Sequence, residues 1–459
     1  MILLVQPNYY HARQSGAWGL NPPLGLAYVG AVLEKNGVPV EILDANVRDL
    51  SPEQVVHYAT QKGVDIVGVS LLTPAHNYGL AVARNMPKGI LSVAGGPHAT
   101  ALPEELLADG FDIVVRGEGE YTMLELAQGT KLSDIKGISF KSGDEIIHNP
   151  DRDWTDPNKI PFPARHLLEK GGTDLPYYST GTTYRPWAPI MTSRGCPFDC
   201  YYCNKTISGR RFAARDAENV VEEIVDLIKV YGIKEIHIND DCFNCNIERA
   251  ERILDLMIRK SLNLHLRFSN GFHIGSITRR LVQKMKQAGC YYVALGIESG
   301  DQTVLDRIPK HITLAEVGSA VKLFREADIM VTGFFMLGLL GDTMESMQRT
   351  LSFAKELDLD IAQFTIACPY PGTRMWNMIK KNGKLLFPEW DNYFHTTGKT
   401  VYTYPDTASP KEVEYMYRKA HRNYYSRPGY IIKELLKVRS FGQIRVMLRG
   451  LRWLLRTQR

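Results

Sequence analysis

Short apolar segments alternate with amphipathic, helix-like segments along most of the chain, and the alternation occurs in two separate series. The first series has strand-like segments at residues 2–6, 40–43, 65–71, 90–94 and 111–115. These segments are almost continuously apolar, as are strands that are buried on both faces of a parallel sheet. Five such strands with crossover helices predict a doubly wound parallel sheet, in which ligands bind beyond the carboxyl ends of the strands.

The second series covers residues 190–371 and contains six strand–helix units. Six units are too few for a closed eight-stranded barrel, so they predict a partial barrel. Its strands are expected at residues 190–192, 235–239, 265–269, 292–297, 330–337 and 363–367. The expected organisation is a parallel-sheet domain in residues 1–147, a Pro- and Asp-rich linker in 148–185, the partial barrel in 186–375 and a helical region in 376–459.

The composition excludes several classes of protein. With 44% apolar and 23% charged residues, the chain has the proportions of a globular enzyme, and its 459 residues suggest two or three domains. No apolar stretch reaches the roughly 18 residues that cross a bilayer, and the start MILLVQP resembles a first strand more than a signal peptide. We therefore expect a cytoplasmic protein with reduced cysteines, and the odd number of seven favours metal ligation over disulfides.

Three of the cysteines are clustered directly after the first strand of the second series, where the chain reads Gly195-Cys196-Pro-Phe-Asp-Cys200-Tyr-Tyr202-Cys203. Three thiolates at this spacing can bind three irons of a cubane cluster and leave the fourth iron for a small molecule. A zinc site would need a fourth Cys or His at a matched spacing. The segment therefore predicts that Cys196, Cys200 and Cys203 hold a 4Fe–4S cluster.

With this cysteine spacing and the aromatic Tyr202 before the third cysteine, the segment resembles the radical S-adenosylmethionine (SAM) superfamily. The resemblance implies that SAM binds the open iron, next to Tyr202, and is cleaved to a 5′-deoxyadenosyl radical. It also implies SAM contacts at later strand ends, from Asp240 or Asp241, from Asn270 and, on the ribose, from Glu298. Local alternatives stay open, because Asn270 lies in a turn signal and Asp241 could cap a helix.

The strands of the first series end on small residues that suit a bulky ligand. A Ser-x-Leu element follows the third strand, a Gly-Gly pair follows the fourth, and a Gly-Glu pair follows the fifth. Glycine lets the backbone approach a ligand, and hydroxyls can bond to its amides. FMN and a nucleotide are alternatives, although no G-x-G-x-x-G follows the first strand. The pattern resembles the cobalamin-binding, Rossmann-like fold, which implies cobalamin contacts by Ser70, Leu72, Thr73, Gly95, Gly96, Pro97, His98, Gly117 and Glu118.

One element of many cobalamin proteins is missing. The motif Asp-x-His-x-x-Gly, which supplies a histidine to cobalt, is absent after the first strand, where the chain reads Asn8-Tyr-Tyr-His11-Ala-Arg-Gln-Ser-Gly16. In the subgroup that this chain resembles, the histidine is often missing. The resemblance thus implies cobalamin bound without a strong lower ligand, and His11 and His98 are the alternatives.

The two halves together resemble cobalamin-binding radical SAM enzymes over residues 1–375. The resemblance implies a C-methyltransferase, in which a radical takes hydrogen from an unactivated carbon and the substrate radical captures a methyl group from methylcobalamin. An oxidative cyclase or a C–C bond-forming enzyme of tetrapyrrole or hopanoid-type lipid metabolism is the alternative within the family, and a corrinoid carrier or sensor is the alternative outside catalysis. Expected partners are SAM, an electron donor such as flavodoxin or ferredoxin, and a lipid, tetrapyrrole, peptide or metabolite as substrate.

Four further cysteines follow the cluster segment. Cys290 ends a predicted helix and Cys368 follows an apolar strand, where buried structural thiols are common. Cys242 and Cys245 form a C-x-x-C pair, to which the sequence assigns neither a second cluster nor a redox role.

The C-terminal segment is strongly basic. Residues 426–459 contain nine Lys or Arg and one acid, whereas the rest of the chain has a net charge of −3. Apolar residues recur there at helical spacing, and this pattern predicts a basic amphipathic helix that lies on an anionic membrane surface or packs its apolar stripe on the barrel. No nucleic-acid partner is expected, because no recognised reading module accompanies the charge.

Overall fold

The computed structural model describes residues 1–9, 19–174, 176–179, 181–270 and 272–436, of which 434–436 are described by their backbone alone. It contains two large sheets that follow one another along the chain, and a mainly helical C-terminal region. This arrangement confirms the mixed α/β fold.

The first sheet has seven strands: β1 (Ile2–Gln6), β2 (Val40–Asp44), β3 (Ile66–Ser70), β4 (Leu91–Gly95), β5 (Ile113–Val115), β6 (Ile138–Ser142) and β7 (Glu145–His148). They lie in the order β2-β1-β3-β4-β5-β6-β7. The first five are parallel, as expected, and β6 and β7 join the edge as an antiparallel hairpin.

Helices cover both faces of the first sheet, at Leu24–Lys35, Ala45–Arg48, Pro52–Lys62, His76–Arg84, Pro97–Ala101, Pro103–Asp109 and Glu120–Ala127. Side chains alternate between the two faces along each strand. The neighbours Leu3 and Leu4 of β1 accordingly belong to two different hydrophobic cores. Burial on both faces explains why these strands are apolar almost without interruption.

The second series forms β8 (Trp187–Ile190), β9 (Ser193–Arg194), β10 (Ala213–Ala214), β11 (Glu235–Ile238), β12 (His265–Phe268), β13 (Cys290–Glu298), β14 (Met330–Leu337) and β15 (Ile361–Ile366). Six of these strands make one parallel sheet in the order β15-β14-β13-β12-β11-β8. The predicted partial barrel is thereby confirmed. The short strands β9 and β10 pair antiparallel beside it.

The helices between the barrel strands are Ala217–Tyr231, Ile247–Arg259, Arg279–Gln287, Gln302–Asp306, Leu314–Glu326 and Met344–Glu356. Capping boxes at Thr313 and Thr343 start the last two, because each side chain accepts a backbone N–H of the first turn. Leu266 and Phe268 of β12 pack into the core beneath the helices. Arg267 between them therefore projects to the inner face of the barrel.

Besides the pair of β9 and β10, two further small antiparallel pairs were not expected. The hairpin of β6 and β7 turns at Gly143, whose φ of +62° is a left-handed conformation that favours glycine. Ser-Gly-Asp between two alternating segments was a hairpin signal that the sequence analysis missed. In the C-terminal region, which was expected to be helical, Lys384–Leu385 pairs with Tyr402–Thr403.

The remaining helices are Arg374–Asn382, Pro410–Tyr425 and Pro428–Leu436. The second of them packs on the barrel, where the Tyr424 hydroxyl donates to the Leu359 carbonyl at 2.7 Å. Most of the basic segment, residues 437–459, lies outside the described residues. Within the described part of the chain, every helix is too short or too polar to cross a bilayer.

Candidate active site between the two sheets

The cysteine loop begins where β9 ends, and its first turn requires glycine. Gly195 has a φ of +77°, and a Cβ at this position would lie 1.9 Å from the Arg211 carbonyl oxygen. The loop is then fastened by Lys205, whose Nζ donates to the Cys196 carbonyl at 2.8 Å. This local structure leaves Cys196 and Cys200 half-buried and Cys203 exposed.

All three thiols line one cavity of about 430 Å³ at the carboxyl ends of the barrel strands. The other predicted SAM residues that line this cavity are Tyr202, Asp241, Asn270 and Glu298. Three thiols with polar groups opposite them fit a cluster that keeps one iron open for a small ligand. The individual contacts of these residues with a cluster or with SAM stay predictions.

The two neighbouring aspartates have different positions. Asp240 is 1% exposed and accepts bonds from the Thr192 backbone N–H at 2.6 Å and from the Ser193 hydroxyl at 2.7 Å. It does not line the cavity, and its bonds tie β11 to the end of β8. Asp241 does line the cavity and accepts the Gly195 N–H at 2.8 Å. Of the two alternatives, Asp241 is therefore the one that lines this cavity, and its contact with SAM stays a prediction.

Glu298 has a cationic neighbour that the sequence analysis missed. The Lys310 Nζ donates to Glu298 Oε1 at 2.6 Å and to the Gly296 carbonyl at 2.5 Å, and all three residues line the cavity. The ammonium fixes a carboxylate whose backbone has the unusual φ of +68°. Lys310 lies in a Pro-Lys-His loop after a short helix, where nothing in the spacing distinguishes it from a surface lysine.

We predict that Lys310→Met weakens SAM binding by about 10- to 100-fold, since a hydrogen bond to a charged group contributes about 1.5–3 kcal/mol. Equilibrium dialysis of the cluster-loaded chain with SAM measures the effect. Lys322→Met, which removes an exposed lysine of the Leu314–Glu326 helix, is the matched control. Equal affinity of both variants would contradict a role of Lys310 at the SAM site.

A second cavity, of about 240 Å³, lies at the carboxyl ends of the first sheet. Six glycines bring backbone to its wall: Gly25, Gly68, Gly95, Gly96, Gly117 and Gly119. A Cβ at Gly25, Gly95 or Gly117 would meet nothing within 4 Å, so side chains there would enter open space. A cradle of bare backbone between apolar walls fits a large ligand such as cobalamin.

Most of the predicted cobalamin residues meet at this cavity, but three do not. Its lining contains Ser70, Gly95, Gly96, Pro97, Gly117 and Glu118. Leu72, Thr73 and His98 are not part of it, and Leu72 is 43% exposed elsewhere. The roles of all nine residues in cobalamin binding stay predictions.

His98 points away from the cavity into the protein. Its Nε2 lies 2.8 Å from His76 Nδ1, and its Nδ1 lies 3.3 Å from the Thr73 hydroxyl. Burial, and next the His76 ring, lower the pKa of His98 to about 3. Among the described residues that line the cavity, there is no histidine. The other alternative ligand of cobalt, His11, lies outside the described residues.

We predict that Gly95→Val weakens cobalamin binding at least about tenfold, equivalent to about 1.4 kcal/mol, because its side chain occupies open cavity space. The melting temperature should stay close to that of the wild type, since a Cβ at Gly95 contacts nothing. Absorbance titration with hydroxocobalamin measures binding, and Gly318→Ala, in an outer helix, is the control. Unchanged affinity of Gly95→Val would place cobalamin elsewhere.

A buried cation joins the two halves of the chain beside the glycine-lined cavity. Arg194, directly before the cysteine loop, pairs with Glu118 and Glu120 at 2.8 Å each. Its guanidinium also lies 5.0 Å from the centre of the Tyr28 ring, and the exposed fraction of the Arg194 side chain is 10%. Sequence analysis missed this contact because the partners are 76 residues apart. The ion pairs hold the cysteine loop against the first sheet.

The two cavities share part of their walls. Pro97, Ile207 and Ser208 line both of them. Pro97 follows β4 of the first sheet, and the other two follow the cysteine loop, so the shared wall is made by both halves of the chain. The Thr206 hydroxyl donates to the Pro97 carbonyl at 3.3 Å and holds the halves together there.

The expectation that all seven cysteines are reduced is wrong for one pair. Cys242 and Cys245 form a disulfide with a Cα–Cα separation of 5.7 Å. The short helical turn Phe243–Cys245 brings them together. The C-x-x-C spacing was visible in the sequence, but the composition argument from compartment and odd number outweighed it. The five other cysteines are free thiols.

Comparisons with known proteins match two separate parts of the chain. Residues 18–127 match the family model described as B12 binding domain, and residues 190–354 match the radical SAM superfamily. An uncharacterized methyltransferase of Pyrococcus horikoshii is 34% identical over 99% of this chain and 98% of its own length. The anaerobic magnesium-protoporphyrin IX monomethyl ester cyclase of Cereibacter sphaeroides is 28% identical over 83% of this chain and 63% of its own length.

A solved structure with a similar fold is also a cobalamin-dependent SAM radical enzyme. The cobalamin-dependent SAM radical enzyme OxsB, solved with aqua-cobalamin and SAM bound, has a TM-score of 0.74 at 17% identity, over 98% of this chain and 70% of its own. At that identity the likeness shows the fold alone, whereas the archaeal relative matches nearly the whole sequence. The chain therefore belongs to the cobalamin-binding radical SAM family.

Proposed function

We propose that this protein is a cobalamin-dependent radical SAM methyltransferase that methylates an unactivated carbon. The observation that carries the proposal is the shared wall of Pro97, Ile207 and Ser208 between the cysteine-lined cavity and the glycine-lined cavity. A substrate carbon beside this wall is accessible from both sides. The archaeal relative that matches almost the full length also has the name of a methyltransferase.

When bound, the cluster and SAM supply a hydrogen-abstracting radical, and cobalamin supplies a methyl group. The residues of the chain itself would bind these cofactors and orient them. Cys196, Cys200 and Cys203, which line one cavity, would hold the cluster. Lys310 and Glu298, which are bonded to each other, would fix one side of the bound SAM. No acid–base pair is required for hydrogen abstraction.

The protein must also keep water and oxygen away from reactive species. Apolar side chains contribute here, since Ile207 and Pro97 separate the cavities and Phe334 lines the barrel side. The ion pairs of Arg194 with Glu118 and Glu120 keep the two halves closed around this wall. The methyl transfer site is thus enclosed by both halves.

A cyclase is the second candidate, because the cyclase of Cereibacter sphaeroides is also similar over most of this chain. The test is anaerobic incubation of the reconstituted protein with candidate lipids, tetrapyrroles, peptides and metabolites, methyl-deuterated SAM and a reductant. A methyltransferase gives a product that retains the deuterium label, detected by mass spectrometry. Cleavage of SAM with an oxidised, unlabelled product would favour the cyclase.

The electron donor is a low-potential protein of the flavodoxin or ferredoxin type. Reduced flavodoxin should therefore replace a chemical reductant such as dithionite in the same assay. If neither flavodoxin nor ferredoxin supports SAM cleavage that dithionite does support, the donor belongs to another class.

The basic segment gives the protein a peripheral membrane contact. Each basic residue near an anionic surface contributes about 1 kcal/mol, so Arg449→Gln together with Arg452→Gln should weaken binding to phosphatidylserine vesicles about 30-fold. Cosedimentation at low ionic strength measures this, with release expected at high salt. If the double variant binds as the wild type does, the segment does not contact membranes through these residues.

A further inference from the structure

The disulfide of Cys242 and Cys245 lies next to the cysteine loop. The sulfur atoms of Cys196, Cys242 and Cys245 all lie within 4.8 Å of one another. Cys242 is 2% exposed and lines the same cavity as the three cysteines of the loop, and Cys245 is half-buried. A hydrogen bond also joins the two segments beside these sulfur atoms. Asp241, directly before Cys242, accepts the N–H of Gly195, directly before Cys196, at 2.8 Å.

A third thiol this close to a disulfide can enter into exchange with it. A thiolate attacks one sulfur of a disulfide, a new S–S bond forms, and the old bond breaks. Here the Cys196 sulfur would bond to Cys242 or Cys245, and the sulfur that leaves would take up a proton. The step needs no external oxidant, because the number of S–S bonds is unchanged.

The exchange competes with cluster binding. Cys196 is one of the three predicted ligands of the cluster, and a thiol that is bonded to another sulfur cannot ligate iron. With the pair reduced, there is no disulfide for Cys196 to attack. The structure therefore assigns a redox-active site to Cys242 and Cys245: we propose that their disulfide captures Cys196 in the cluster-free chain and so slows insertion of the cluster.

The pair would be oxidised by a disulfide such as oxidised glutathione. Two thiols then become one disulfide, and each oxidised glutathione becomes two reduced molecules. Cys245 is the accessible member for this first attack. Cys290 and Cys368 are buried thiols that have no disulfide partner, and they provide matched controls.

The test uses the full chain without its cluster, equilibrated anaerobically in buffers of oxidised or reduced glutathione. Free thiols are then alkylated, and disulfides are mapped by peptide mass spectrometry. In the oxidised sample we expect two populations of molecules. One has the Cys242–Cys245 disulfide, and the other has a disulfide between Cys196 and one member of the pair. Cys196 found as a free thiol in every oxidised chain would overturn the proposal.

Iron uptake gives the second measurement. If the three possible pairings are equally stable, Cys196 is disulfide-bonded in two of the three, so the initial rate of iron incorporation should fall about threefold in the oxidised chain. The variant Cys242→Ser with Cys245→Ser should take up iron equally fast from both buffers, and Cys290→Ala with Cys368→Ala should behave as the wild type. A double serine variant that is as sensitive to oxidised glutathione as the wild type would also overturn the proposal.

The single variant Cys245→Ser covers the case in which the double serine variant fails to fold. Its fold should tolerate the change, because the Cys245 side chain is only half-buried. It leaves Cys242 and Cys196 to form one disulfide, which should appear in the oxidised chain. Neither measurement involves methyl transfer. The proposed function can thus fail while this inference holds, and this inference can fail while the proposed function holds.

Discussion

Cys200→Ala should abolish reductive cleavage of SAM while cobalamin binding stays at its wild-type level. Loss of an outer partner of a metal ligand costs about 10- to 100-fold in affinity or activity, and loss of one of three ligands should cost more. The glycine-lined cavity does not contain Cys200, so cobalamin is not affected. The measurements are iron content, deoxyadenosine formation from SAM and the absorbance of bound cobalamin.

Cys290→Ala is the control, because Cys290 is a buried thiol outside the cavity. This comparison also separates an enzyme from a corrinoid carrier or sensor. A carrier would keep its whole activity in Cys200→Ala. Cleavage of SAM at the wild-type rate by Cys200→Ala would show that the cluster is held elsewhere.

Arg194→Met should lower the free energy of unfolding by about 3–5 kcal/mol, the cost of removing one partner from a buried ion pair. The substitution leaves Glu118 and Glu120 without their cation, although their side chains are only 11% and 8% exposed. Burial already raises the pKa of Glu118. Urea unfolding of the cofactor-free chain measures the loss.

Two further variants make this result specific. Arg252→Met removes an exposed ion pair with Glu218 and should cost about 1 kcal/mol or less. Adding Glu118→Gln and Glu120→Gln to Arg194→Met should recover part of the stability, because neutral amides tolerate burial better than carboxylates. If Arg194→Met and Arg252→Met cost the same, the ion pairs of Arg194 do not hold the halves together.

The sequence was sufficient for features that depend on local patterning. Apolar strands and amphipathic helices have characteristic periods, so both parallel sheets could be predicted, and β14 was located to the residue. The cysteine spacing pointed to the loop in the same way. The hairpin of β6 and β7 also has a local signal, but it lies at the edge where the sheet changes from parallel to antiparallel pairing.

Contacts between distant segments, or from loops without a sequence signal, could not be predicted. Arg194 meets Glu118 across 76 residues, and Lys310 reaches Glu298 from a loop that gives no sequence signal. The direction in which a side chain points could not be predicted from the sequence either. His98 and Asp240 follow strands at positions typical of ligand sites, yet both are buried in hydrogen bonds away from the cavities.

The central claim is that the cluster and cobalamin lie side by side in one chain. Electron paramagnetic resonance of the anaerobically reconstituted protein tests this most directly, because two paramagnets that are close change each other's relaxation. We expect the cob(II)alamin signal to relax faster when the cluster is reduced, and to lose this effect in Cys200→Ala. A cob(II)alamin signal that relaxes equally in both proteins, with both cofactors bound to the wild type, would contradict the account.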